Sequence, residues 1–458
     1  MLRCKQNSLT IILVLLLGII IGVTSVNIKF ILVFFLFGLI IYLYIQSINK
    51  IEFWLLCTLF ALILVPSIDI GFVKIGLNDV LFLIGAVVYF QLKGKLNLNP
   101  LLISFLVYLL VMMISTLKLI SFHNEWFFSS FLYVIKFVEM VFPLLLINKS
   151  NKEIDTNKIF KYTMYFSFAS FLVALILFIA QVPVDDKTVW FGSEKFYRLA
   201  GIFYEANHFG HFAATISIIL TLKILEKKKT KVYNQKVFLI ILITSLLSML
   251  LTFSRTALLY YVFALLIYII LFSKNKLKIL ITTFFIFGFA LAILAYSQEK
   301  LFNIFKERYF QTFNAFFTDF NSISGGRVET WDFAWQVFKE NIFLGIGYKG
   351  FLKYTSIFYH HEAAMDNNYL TVLVETGVVG FIVFIILNII IMKSLIWQYK
   401  YNKNNDDNLS TILLIVWLAS LISMFFIDTF TFWRSLGVIL IFIGLYTPMN
   451  KSKVLEKQ

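Results

Sequence analysis

Charge is scarce in this chain: Asp, Glu, Lys and Arg make up 14% of its 458 residues, against 60% hydrophobic residues and a mean hydropathy of +0.86. So little polar surface excludes a water-soluble globule of this size and makes the chain an integral membrane protein. Cysteine is nearly absent. Cys4 falls at an end expected to be cytoplasmic and Cys57 inside an apolar run, which excludes an extracytoplasmic disulfide framework. No Walker loop, G-x-G-x-x-G turn or C-x-x-C pair occurs, so nothing supports ATP-driven transport by this chain alone. The alternating pattern of a β-barrel is missing as well. No small-residue cleavage site follows the first apolar run, residues 9–25, which reads as a retained first helix.

Long apolar runs fill the space that charge leaves. One helical crossing of a bilayer takes about 20 predominantly apolar residues. Runs of that kind are centred near Leu16, Phe37, Leu59, Gly85, Val107, Val138, Leu172, Ile218, Ile243, Leu265, Phe285, Ile382, Val416 and Ile441. The predicted fold is an all-α polytopic membrane bundle of about fourteen spans, forming a single domain over residues 1–458. With the N-terminus placed in the cytoplasm, the inner segments hold 24 of the 40 Lys and Arg residues, against seven in the short outer loops. Basic residues in short loops favour the cytoplasmic side, so both termini are expected there. Clusters such as EKKKTK, residues 226–231, then meet anionic headgroups and account for the net charge of +15 without nucleic acid.

Two connections are too long to be simple turns, residues 182–207 and residues 297–367 between the eleventh and twelfth spans, and both fall outside in this topology. Long connections inside a compact domain are commonly functional or carry small elements of their own. In the second, ETWDFAWQVFKENIFLGIG spaces Phe333, Ala334, Val337 and Phe338 as one apolar helix face and ends on Gly345. That pattern predicts a short amphipathic helix at the membrane surface. Arg198, Arg255 and Arg327 also fall at or near the outer face, against the direction of the basic bias. An outward arginine is most cheaply explained by an anionic partner, because its fork matches phosphate or carboxylate with two hydrogen bonds; headgroup contact or a helix-capping ion pair is the alternative. In HHEAAMDNNYL, residues 360–370, the histidines are adjacent and diverge, unlike the i, i+4 ligands of a zinc helix. Three readings stay open there: a metal site, a polar rim capping a helix that starts near Asn368, or a catalytic and substrate-binding cluster. Lys136 and Glu139, within a span, are expected to pair at i, i+3 or to line a groove.

GGRVETWDFAWQVFKENIFLGIGYKGF followed by DNNYLTVLVETGVVGF resembles the signature region of the O-antigen ligase and polymerase superfamily, the Wzy-like and WaaL-like proteins. The matching positions are Gly326, Arg327, Trp331, Gly345, Gly347, Asp366, Asn367, Tyr369, Glu375, Gly377 and Gly380. Upstream, RLAGIFYEANHFG is similar to the family's R-x-x-G-x-F-x-x-x-N at Arg198, Gly201, Phe203 and Asn207. FSRTALL is similar to its S-R segment at Ser254 and Arg255. The resemblance covers roughly residues 190–395. It departs at one place: ligases carry a histidine just before the asparagine, where this chain has Asp366 and its nearest histidine is His361.

That departure makes a Wzy-type polymerase the first expectation. The resemblance implies a GT-C-like glycosyltransferase that joins oligosaccharide repeat units linked to undecaprenyl diphosphate, on the outer face of a bacterial cytoplasmic membrane. It implies a site of Asp366, Arg327, His361 and Glu362 for catalysis. Arg198, Arg255, Asn207, Asn367, Tyr369 and Gly326 would bind substrate, and Trp190, Tyr197, Phe203 and Tyr204 would stack on sugars. Arginines stabilise the leaving diphosphate, so no metal or other cofactor is expected. Partners are the lipid-linked oligosaccharide, membrane lipids and a chain-length regulator. The alternatives are a ligase delivering glycan to lipid A core or protein, a lipid-linked oligosaccharide flippase, and a non-enzymatic permease or scaffold.

Overall fold

The computed structural model describes residues 50–69, 74–92, 94, 96–121, 124–150, 154–184, 188–191, 194–203, 205–225, 235–273, 275–297, 302–303, 306, 327–359, 364–402, 409–431 and 433–446. The runs centred near Leu16 and Phe37 lie outside these residues, as do Cys4, Tyr204, Gly326, His360, His361 and Glu362. Within them the chain forms α1 (Lys50–Leu64), α2 (Leu77–Gln91), α3 (Pro100–Leu117), α4 (Asn124–Lys149), α5 (Thr156–Ile179), α6 (Ala206–Leu225), α7 (Gln235–Leu251) and α8 (Arg255–Ile267). It continues through α9 (Lys276–Ser297), α10 (Arg327–Glu340), α11 (Phe351–Tyr359), α12 (Asn368–Asn402), α13 (Leu409–Ser423) and α14 (Trp433–Tyr446). Two antiparallel ribbons interrupt this helical order, β1 (Ile68–Asp69) with β2 (Lys74–Ile75) and β3 (Thr188–Phe191) with β4 (Glu194–Tyr197). Among the described residues, six helical stretches are long and apolar enough to cross a membrane, built on α3, α4, α5, α6, α8 and α12.

Local sequence sets many of the ends. Asn99 Oδ1 accepts the Leu102 amide at 2.8 Å ahead of Pro100, which needs no amide partner at the first helical position. Asp155 caps α5 and Ser254 caps α8 in the same way. Inside the helices hydroxyls bond back along the turn, as in Thr163 to Ile159 and Ser167 to Thr163, so few polar atoms face lipid. Packing then gathers the bundle, with α3 along α12, α6 against α7 and α8, α4 against α14 and α10 against α12.

Hydropathy reads residues 368–402 as one uninterrupted span, but α12 is broken at Gly377, whose φ of 67° lies in the left-handed region. A break inside a membrane leaves backbone groups that water cannot satisfy. Residues 342–347 satisfy them: Ile346 and Gly347 amides donate to the Val374 and Glu375 carbonyls at 3.1 and 2.9 Å, and Val378 donates to Ile342 at 2.8 Å. Approach this close requires glycine on both sides, because a Cβ on Gly345 would overlap the Glu375 carbonyl and one on Gly377 the Phe343 carbonyl. Ser115 Oγ lies within bonding distance of the Leu344 and Glu375 carbonyls, and Lys118 Nζ donates to Gly345 at 3.0 Å. The expected helix stop at Gly345 is therefore corrected. α10 ends at Glu340, and Gly345 serves the clamp on α12.

Candidate active site

A cleft of about 280 Å³ opens between α4, the start of α6, the segment after the clamp, the start of α12 and the start of α14. Asp366 stands on its rim. The segment carrying it is tied to α10 twice: Arg327 Nε and NH2 both donate to Asp366 Oδ2, at 3.1 and 2.7 Å, and Trp331 Nε1 donates to the Met365 carbonyl at 2.7 Å. Asp366 takes a φ of 48°, a conformation a non-glycine residue holds only when its surroundings determine it. The next residues start α12. Asn367 Oδ1 accepts the Leu370 amide at 3.1 Å as its cap, and Tyr369 donates to the Leu421 carbonyl at 2.8 Å. Those bonds fix the first turn of α12 against the end of α13 and give Asn367 and Tyr369 structural work.

Asn207 lines the cleft on its other wall, in the first turn of α6. Behind it Arg198, 8% exposed, donates from NH2 to Asn207 Oδ1 at 2.8 Å and from Nε to the Thr252 carbonyl at 2.8 Å. Gly210 allows the start of α6 to press on Ser254 and Ala257, so the N-termini of α6 and α8 converge and bring Arg255 to the same region. Arg198, expected to bind substrate, is held by two protein acceptors in this arrangement. Its guanidinium is buried and braces a cleft residue, as Arg327 braces Asp366. Phe203, held by rings of Phe209 and Phe212, lines the cleft too, while Tyr197 ends β4. The side chain of Trp190 is outside what is described.

Sequence reasoning missed most of the cleft's directly lining charges. Lys349 and Asp428 face each other with Nζ and Oδ2 3.8 Å apart. Asp428 is largely but not fully buried, with 15% of its side chain exposed, and this desolvation pushes its carboxyl up to about 6; Lys349 opposes the shift and the charge of Asp366 adds to it. Tyr348 beside them is pushed well above the ordinary tyrosine range by the same burial. Glu375, at the helix break, lines the cleft near Lys349 and Phe351, so the broken helix also shapes the cleft. Arg434 opens α14, donates to the Leu62 carbonyl at 3.2 Å and lies over the rings of Phe203 and Trp433. Lys136 does pair with Glu139, at 3.6 Å, but pairs more closely with Asp79 while lining the cleft. Asp428 and Arg434 stand outside every quoted motif, and their only sequence signal was a charge flanking an apolar run.

The cleft thus combines a fixed carboxylate, several cations and aromatic rings at the edge of an apolar bundle, an arrangement suited to a charged group on a lipid with a polar head to be transferred. No curated protein matches the chain significantly. Residues 240–385, from α7 through the clamp to the broken helix, match the family model described as O-antigen ligase, and over that part the chain is similar to the O-antigen ligase and polymerase superfamily, whose members are glycosyltransferase-like enzymes.

Proposed function

We propose that this chain polymerises oligosaccharide repeat units carried on undecaprenyl diphosphate, transferring the growing glycan to the non-reducing end of an incoming lipid-linked unit. One observation carries the reading: segments as distant as 198–207, 327 and 364–369 meet around one cleft, Arg327 bracing Asp366 and Arg198 bracing Asn207. Asp366 orients the acceptor hydroxyl and takes its proton through Oδ1, the oxygen Arg327 does not use. Lys136, Lys349 and Arg434 line the cleft, with Arg198 and Arg255 behind the converging helix starts, and together they stabilise charge that develops on the departing diphosphate. The lipid diphosphate stores the activation, so neither nucleotide nor metal is needed. His361, Glu362 and Gly326 belong to the proposed site through the resemblance.

The reading includes about fourteen spans, a GT-C-like architecture, both termini in the cytoplasm of a bacterium and a site facing outward, with a chain-length regulator as partner. Ligase activity is the second reading, favoured by the description of the matching family. Asp366, where ligases carry histidine, speaks for the polymerase.

Glycan size on a gel decides between them. Cells lacking the gene should show a single repeat, and wild type should restore a ladder. Arg327→Ala and Asp366→Ala should insert normally yet lower long glycan at least 100-fold, the scale of a lost acid–base group. A normal ladder from both variants would overturn the site, and full-length polymer left on the lipid carrier in the deletion would make the protein a ligase.

A further inference from the structure

The start of α6 pairs a histidine in its first turn with a carboxylate just before it, and the proposed reaction gives neither a role. His208 Nε2 lies 3.0 Å from Glu205 Oε2, and both side chains line the cleft beside Asn207. Asn207 in turn carries the bond from Arg198, so the pair adjoins the end of the cleft where the arginines and the helix starts concentrate positive charge. An acid before the first turn is explained by helix capping alone. A capping role does not call for an imidazole on the cleft wall.

We propose that His208, oriented by Glu205, is the proton donor to the departing diphosphate, an assignment that rests on the glycosyl-transfer reading above. Arginine neutralises a phosphate oxygen but keeps its proton in proteins, whereas imidazole gives one up near neutral pH. In the step, the acceptor oxygen bonds to the anomeric carbon as the bond from that carbon to the diphosphate oxygen breaks. The electron pair stays on the phosphate oxygen, which takes the imidazolium proton, while the acceptor's hydroxyl proton passes to Asp366. Exchange with water afterwards reprotonates His208 and deprotonates Asp366, so the cycle closes without another reactant. Glu205 offsets the imidazolium charge and fixes the ring, the part an orienting acid plays for a catalytic histidine elsewhere.

Several other groups surround this proton. His211 lies on the same helix, near enough to sense the charge of His208. Arg198 and Arg255 flank the start of α6, and Arg434 comes from α14. Lys136, Lys349, Asp366, Glu375 and Asp428 line the rest of the cleft, with Tyr133 and Tyr348. α13 carries no charged side chain, α5, α7 and α9 place their lysines at the ends away from this one, and α8 adds Tyr260 stacked on His211.

The test uses membranes holding the full chain, supplied with the undecaprenyl-diphosphate-linked repeat that accumulates in cells lacking it, and initial rates across pH. Because an acid must be protonated to act, the wild-type rate should fall on the alkaline side. His208→Gln should lower kcat about 100-fold, leave KM for the lipid-linked repeat within about twofold and abolish that alkaline fall. Glu205→Gln should lower kcat about tenfold and move the fall to lower pH. Asp366→Asn should instead remove the loss of rate on the acid side. A His208→Gln chain with wild-type kcat, or one that keeps the alkaline fall, overturns the inference, and if Asp366→Asn is then inactive the transfer reading still stands. Wild-type membranes that build no longer glycan overturn both.

Discussion

At the residue scale, the least expected group is Asp428. Its carboxyl is raised to about 6 by burial in the cleft wall, so the folded chain holds that proton more tightly than the unfolded chain does. The sign follows from linkage: a raised acid contributes stability below its unfolded value, near 3.8, and loses that contribution as pH rises through about 6. Thermal unfolding of the detergent-solubilised protein should therefore show falling stability between about pH 4 and 6, and Asp428→Asn should flatten that slope. The effect is at most about 3 kcal/mol, two pKa units converted. An equal slope in the variant would show that another group titrates there. Asp366 and Arg327 were legible in the sequence because they sit in spaced motifs, and the arginine fork suggested an anion. What the spacing did not reveal is that the anion Arg327 meets is Asp366 itself. Lys349, Asp428 and Arg434 were illegible for a related reason, since each becomes a site residue only when three separate segments meet.

Elements were easier to read than their interruptions. Apolar runs marked the helices, and caps such as Asn99 and Ser254 marked several starts, because those signals are local. The break in α12 was hidden: hydropathy averages over a window and passes Gly377 without a dip, and the backbone that completes the break lies some 30 residues earlier in the chain. The glycines of the G-x-G and E-x-G-x-x-G segments were visible, but their mutual contact was not. Gly377→Ala should thus be severe for two reasons, strain at a left-handed φ and overlap with the Phe343 carbonyl. A loss of about 2 to 4 kcal/mol is expected, seen as a lower unfolding temperature and less protein in the membrane. Ser115→Ala removes one hydroxyl bond from the same clamp and should lose about 1 kcal/mol. Near-equal unfolding temperatures for wild type and Gly377→Ala would mean that the clamp does not hold the helix.

Over the whole molecule, function depends on which side of the membrane the cleft faces. The cleft borders residues 348–352, 364–366, 428–430 and 433–435, at the ends of α12, α13 and α14 that lie away from the basic clusters. If those clusters are retained in the cytoplasm, the cleft opens outward, the side on which the proposed transfer takes place. Two exposed positions test this orientation on opposite sides. Gln181, past the end of α5, should be outside, and Lys236, at the start of α7 beside EKKKTK, should be inside. In a chain whose Cys4 and Cys57 are replaced by alanine, Gln181→Cys should react with a membrane-impermeant maleimide on intact spheroplasts. Lys236→Cys should react only after permeabilisation. The two results bind the site to the topology, because α6 joins them: its first turn carries Asn207 and His208, and its last turn leads into the basic cluster. Labelling in the reverse order would put Asn207, Asp366 and the whole cleft in the cytoplasm, where nucleotide sugars are available and a lipid-diphosphate donor has no advantage.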